Sequence, residues 1–333
     1  MTTHDRKTLR KTAARRLNTA SYKPRRLYLI HSGITLGAML LMAVIQYVLN
    51  WQIDANGGGL SGLQLRSILE TIQIVLSIAY MIFLPFWTMG AFYAAVRLAR
   101  GKSAYPHVLL EGFRRRGPVL RLMLMEGLIY AIITVAAMYG AWIFYGMTPD
   151  GQAFGEAMMK LIEMEGLSDS AALIEAIPDA VMDRVARGYL PVFGVVWAVL
   201  IVPATYRLRL APFVLMDKER TGAWKAIRIS GRLTRRKWGH LLLLDLGYCW
   251  YYLIPLVLAV PAYADLLLEY LQIQVPVDPA VVYMAGNALY VVLTLIFQCL
   301  AKPRVQTTYA LAYDLLREEY EAAHPQPAAE EAQ

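Results

Sequence analysis

Cysteine is nearly absent. The two in 333 residues, Cys249 and Cys299, lie in apolar runs without a CxxC companion, which argues against a disulfide framework and a thiolate zinc site. Both read as small buried hydrophobes. The five histidines are scattered, and HExxH, P-loop and GxSxG patterns are all missing, so no metal, cofactor or nucleophile–base constellation is expected. The glycine run Gly57-Gly58-Gly59-Leu60-Ser61-Gly62 has no strand before it. It reads as a flexible turn opening the next helix near Leu65 rather than as a phosphate cradle. Acids are in the minority, 25 against 33 Lys and Arg, for a formal charge of +8.

What is abundant is apolar sequence, 57% of the chain, above the roughly 45–50% of soluble domains. It is concentrated in the runs 27–49, 68–96, 119–146, 189–216, 239–268 and 279–301. Each approaches or exceeds the about 20 residues that a spanning helix needs. The predicted fold is therefore all-α, a polytopic transmembrane helical bundle of about six spans. Pro85, Pro203 and Pro255/Pro261 interrupt three runs and predict kinks, because proline removes a donor and clashes one turn back.

Of the 33 basic residues, only Arg66, Lys160, Arg184 and Arg187 fall in alternate loops; the other 29 lie before the first run, after the last, or in the 97–121 and 207–237 blocks. That bias predicts both termini on the cytoplasmic side of a bacterial plasma membrane. The first run, long and without an A-x-A site, reads as a retained helix rather than a cleaved signal peptide.

The domain reading is a basic cytoplasmic segment 1–26, a membrane domain 27–301, an amphipathic cytoplasmic helix 302–323 and a disordered tail 324–333. Within the membrane domain, 147–187 holds eight acids and three bases and predicts an external cap of short helices, the second led by Ser168 and the third by Asp179. Val305, Tyr309, Ala312, Leu316 and Tyr320 share one helical face and continue the last span.

Inside the runs stand Glu126, Asp245, Arg207, Arg209 and His31. Ionisable groups at such depth are costly and must face protein or water. They read either as ion pairs joining the third, fourth and fifth spans or as a substrate or proton path. Gly33-Ile-Thr-Leu-Gly37 is a GxxxG, a face that another helix approaches within this chain or in a homodimer.

In the basic block 217–237, a helical wheel puts Lys225, Arg228, Arg232, Arg235 and Arg236 on one side and Ala223, Ala226, Ile227, Ile229, Ser230 and Leu233 on the other. Such an element suits a membrane interface, and Trp224 and Trp238 suit the headgroup level. Anionic lipid headgroups are the expected partners; nucleic acid is not, since two spans tether the block to the bilayer.

The run Tyr206-x5-Pro212-Phe213-Val214-Leu215-x-Asp217, then Ala226-x3-Ser230-x2-Leu233, then Trp250 in an apolar helix, resembles the domain-of-unknown-function family 975 of Firmicutes integral membrane proteins. The basic Leu9-Arg10-Lys11 helix before the first span is similar to that family too. The resemblance implies a Gram-positive bacterium and six spans, and it carries no catalytic residues. The expected function is non-enzymatic, organising or assisting a lipid- or envelope-related process through the basic face. The alternative is a transporter of small solutes or lipids using Glu126, Asp245 and Arg209.

Overall fold

The computed structural model of the chain describes residues 3–55, 60–165, 179–217, 221–263 and 279–324. The expected Ser168-led helix, the tail beyond His324 and Gly57–Gly59 of the glycine run lie outside them, whereas Leu60-Ser61-Gly62 already belong to a helix, which opens five residues before the expected Leu65. Every regular element among these residues is helical, so the fold is all-α. In chain order the helices are α1 (Thr3–Asn18), α2 (Pro24–Ala55), α3 (Leu60–Ala99), a 3-10 turn (Pro106–Leu110), α4 (Glu111–Arg114), α5 (Arg116–Gly146), α6 (Pro149–Glu165) and α7 (Asp179–Leu208). After these come α8 (Ala211–Asp217), α9 (Ala223–Thr234), α10 (Trp238–Leu246), α11 (Cys249–Leu258), a 3-10 turn (Val260–Tyr263) and α12 (Pro279–Ala323).

Five helices hold segments long and apolar enough to cross a membrane: Pro24–Ile45, Arg66–Ala99, Arg116–Gly146, Arg187–Asp217 and Val281–Ala323. The pair α10 and α11 adds a sixth such segment if it counts as one span. Their apolar windows are at most 22% buried by protein, and Ile74, Met81, Leu128, Val199 and Leu256 stand open. So much apolar surface is unfavourable in water and suits hydrocarbon.

Two compact units divide the chain, residues 1–122 with 210–333, and residues 123–209. In the first, the buried core gathers at the ends of the apolar runs and just beyond them. Ala91, Ala94, Leu98, Val108 and Leu109 pack with Leu27 and Tyr28, and Leu210 through Met216 are all buried. Each buried Leu, Val or Phe contributes about 1.5–3 kcal/mol. The turn before α4 sits hard on α3: a Cβ at Gly90 would lie 1.9 Å from the Leu109 carbonyl oxygen, and one at Gly112 would lie 1.9 Å from that of Phe86. Only glycine permits this approach. Val305, Tyr309, Ala312 and Leu316 are buried on α12, which runs unbroken past the apolar segment to Ala323.

In the second unit, aromatic rings tie α5 to α6 and α7. Trp142 lies 4.7 Å from Tyr189 and 6.1 Å from Phe154, centroid to centroid. Asp179 does not open a short cap helix; α7 continues from it through Pro191 and Pro203 to Leu208.

The fifth apolar run breaks where no proline stands. α10 and α11 bend by 48° at Gly247-Tyr248, seven residues or more before Pro255. Arg10 of α1 sits at this break, its guanidinium filling the space beside Gly247. Its Nη2 donates to the Leu244 carbonyl, 3.4 Å away, and its charge lies 4.9 Å from the Tyr248 ring centroid. The Tyr248 amide turns instead to the Asp245 carbonyl, so arginine satisfies a carbonyl that the break releases.

Candidate functional site

The basic helix α9 forms within the predicted block but ends at Thr234, because Arg235 and Arg236 leave helical geometry, and the structure decides what its apolar face touches. Ala223, Ala226, Ser230 and Leu233 are buried as α9 packs on α8 and α12, so that face meets protein. On the opposite face Lys225, Arg228 and Arg232 are exposed, and Arg235 and Arg236 are exposed in the turn that follows the helix rather than on its face. Trp224 and Trp238, 56% and 43% exposed, flank it, and Arg228 lies over the Trp224 ring at 5.8 Å. Arg236 has φ +64°, a left-handed backbone that favours glycine; a cation stands there nonetheless, at the turn into α10.

Two grooves run between this face and the end of α12. One, about 560 Å³, is lined by Arg232, Arg235, Arg236, Lys237, Glu319 and His324 among others. The second, about 670 Å³, includes Lys225, Arg232, Arg317 and Glu321. Lys237 bonds Glu319 at 2.9 Å, and that carboxylate raises the lysine above its ordinary range. Arg317 bonds Glu321 at 2.8 Å. The remaining cations outnumber the acids, so the grooves favour anions.

A hub that sequence reasoning missed lies beside them. Asp217, ending the buried helix α8, accepts hydrogen bonds from Arg100 on one oxygen and from Arg317 (2.8 Å) and Tyr313 (3.0 Å) on the other. Arg100 also makes a two-pronged contact with Asp314, at 3.2 and 2.7 Å. The two carboxylates raise Arg100 well above the usual arginine range, fixing its charge. Nearby, Arg115 donates to the Leu215 and Met216 carbonyls at 3.0 and 3.2 Å, covering the open end of α8. The available signal was an acid directly after a wholly apolar helix, a place where a buried carboxylate needs cations.

The ionisable residues within the apolar runs have separate surroundings. Asp245 accepts hydrogen bonds from the hydroxyls of Tyr252, at 2.9 Å, and Tyr309. His31 stacks on Trp87, ring centroids 5.6 Å apart, and its Nδ1 lies 3.3 Å from Lys302 Nζ; an ammonium only donates, so this nitrogen accepts. Asp245 and His31 therefore belong to the first unit with different partners. In the second unit, Arg209 lies over the Tyr206 ring at 5.6 Å. Tyr130 hydrogen-bonds Thr205 within electrostatic reach of both Glu126 and Arg209, and Arg207 occupies the last turn of α7. On the GxxxG face, Gly33 meets only the tip of Leu295, at 4.0 Å, and Gly37 has nothing within 4 Å. Close backbone approaches are found instead at Gly90, Gly112 and Gly286, the last 1.9 Å from the Pro261 carbonyl oxygen for a would-be Cβ.

Among the described residues no group of three His, Cys, Asp or Glu is placed to hold a metal. No family model, curated protein or solved structure matches this chain.

Proposed function

We propose that the chain is a polytopic membrane protein of a Gram-positive plasma membrane, with about six spans and both termini cytoplasmic. Its non-enzymatic role is to organise or assist a lipid- or envelope-related process by holding anionic headgroups on its basic cytoplasmic face. The carrying observation is the exposed cationic face of α9 between two tryptophans, with its apolar side used up in packing. A helix that needs its apolar face for the core has only its charge to offer a membrane, and each Lys or Arg near an anionic leaflet contributes about 1 kcal/mol. An arginine at the left-handed position 236 supports the same reading, since glycine there would relieve the backbone and lose the cation.

The test is lipid enrichment. Full-length protein is extracted from native membranes, and its co-purifying anionic lipid is compared with the bulk. The wild type is expected to be enriched and R228Q/R232Q/R235Q/R236Q to approach the bulk ratio; equal enrichment in both contradicts the reading.

A second reading, transport, is favoured by one observation: the buried carboxylate of Asp245 stands two residues before a break in an apolar helix, an arrangement that transporters use at substrate sites. Flux abolished by Asp245→Asn in folded protein would favour it over the first.

A further inference from the structure

We propose that a second anion site, separate from α9, holds the phosphate of one anionic glycerophospholipid between the α1–α2 junction and α12. A cavity of about 520 Å³ there is lined by Lys23, Arg25 and Arg304 above Leu17, Leu300 and Pro303. No carboxylate lines it. Lys23 and Arg25 form no ion pair among the described residues, while Arg304 hydrogen-bonds Tyr248. Three cations around one cavity repel one another, and an anion between them converts that repulsion into attraction.

The surroundings point to a lipid rather than free phosphate. Leu300 stands one turn before Arg304 on the same side of α12, and Ile296 and Val292 continue the line at successive turns. These three are 55%, 54% and 52% exposed. From Arg304 to Val292 the rise is about 18 Å at 1.5 Å per residue, close to the roughly 15 Å half-thickness of a hydrocarbon core. On α2, the exposed Leu29 likewise follows Arg25 by one turn. Cations at one end and an open apolar track of leaflet length at the other match a phosphate ester carrying acyl chains. This inference rests on the membrane placement proposed above, but on none of the α9 residues.

The experiment uses full-length protein in phosphatidylcholine nanodiscs carrying phosphatidylglycerol as minor component, with native mass spectrometry counting lipid retained after transfer to detergent. Wild type and the α9 quadruple variant are expected to keep one phosphatidylglycerol. K23Q/R25Q/R304Q is expected to retain about tenfold less or lower still, with R25Q alone intermediate should the triple variant fold poorly. Leu300→Asn, which leaves all three cations in place, is expected to weaken lipid retention too. Unchanged occupancy in the triple and single variants overturns the proposal. So does displacement of the lipid by inorganic phosphate or glycerol phosphate at equal concentration, which would make the cavity a phosphate site. Loss of bulk anionic enrichment in the α9 variant beside unchanged retention in K23Q/R25Q/R304Q sinks this site alone. The converse pattern sinks the α9 reading alone.

Discussion

Arg10 and Gly247, 237 positions apart, occupy one space: a Cβ built on Gly247 would lie 1.2 Å from the arginine Nη2. The break between α10 and α11 and the docking of α1 are thus one structural event. Gly247→Ala is expected to displace Arg10 and to cost about 1–3 kcal/mol, as overpacking does. In an Arg10→Ala background the same change is expected to be near neutral, because the right-handed backbone of Gly247 (φ −74°, ψ −9°) is one that alanine adopts without strain. Thermal unfolding of the four proteins in detergent gives the coupling, predicted at about 1–2 kcal/mol. Additive effects would separate the two residues.

Asp217 anchors the polar cluster beside the grooves. Removing one partner of a buried ion pair costs about 3–5 kcal/mol. Arg100 and Arg317 have side chains 31% and 33% exposed against 6% for Asp217, so solvent screens part of this, and Asp217→Asn is expected to cost about 2–3 kcal/mol. Arg100→Lys keeps the charge but loses the fork that reaches Asp217 and Asp314 together, and an intermediate loss is expected. Chemical denaturation checks both; an Asp217→Asn midpoint equal to wild type would remove the hub from the account.

Glycines of different surroundings make an internal control. Gly112→Ala and Gly90→Ala force a methyl against a backbone carbonyl that no rotamer change can move, and a loss of about 2–3 kcal/mol or more is expected. Gly231, inside α9, has nothing within 4 Å of its would-be Cβ. Gly231→Ala is expected to stabilise by up to about 1 kcal/mol. Melting curves in the same detergent decide, and equal behaviour of the three variants would contradict the packing described.

These cases also show where sequence was readable. The face formed by Val305, Tyr309, Ala312 and Leu316 was legible because helical spacing is local, and so were the two faces of α9. The Asp217 hub was not, because Arg100, Tyr313 and Arg317 lie 96 to 117 positions away and nothing in local spacing joins them. The GxxxG at Gly33 was visible as a motif, yet tight contacts fall at Gly90, Gly112 and Gly286, whose partners are backbone oxygens that leave no sequence signature. Pro255 signalled a kink in the fifth run, while the break itself falls at Gly247-Tyr248, beside an arginine from α1. Asp245 was legible as a carboxylate needing partners, but its phenolic donors Tyr252 and Tyr309 were not.

The central claim, that the basic face of α9 lies on the cytoplasmic side of a membrane, is tested most directly by side-specific labelling. Single cysteines replace exposed residues in a background lacking Cys249 and Cys299, and intact cells are treated with a membrane-impermeant thiol reagent. The account predicts that Met159→Cys on α6 is labelled in intact cells and that Lys225→Cys on α9 is labelled only after permeabilisation. Labelling of Lys225→Cys in intact cells, with Met159→Cys protected, would contradict it.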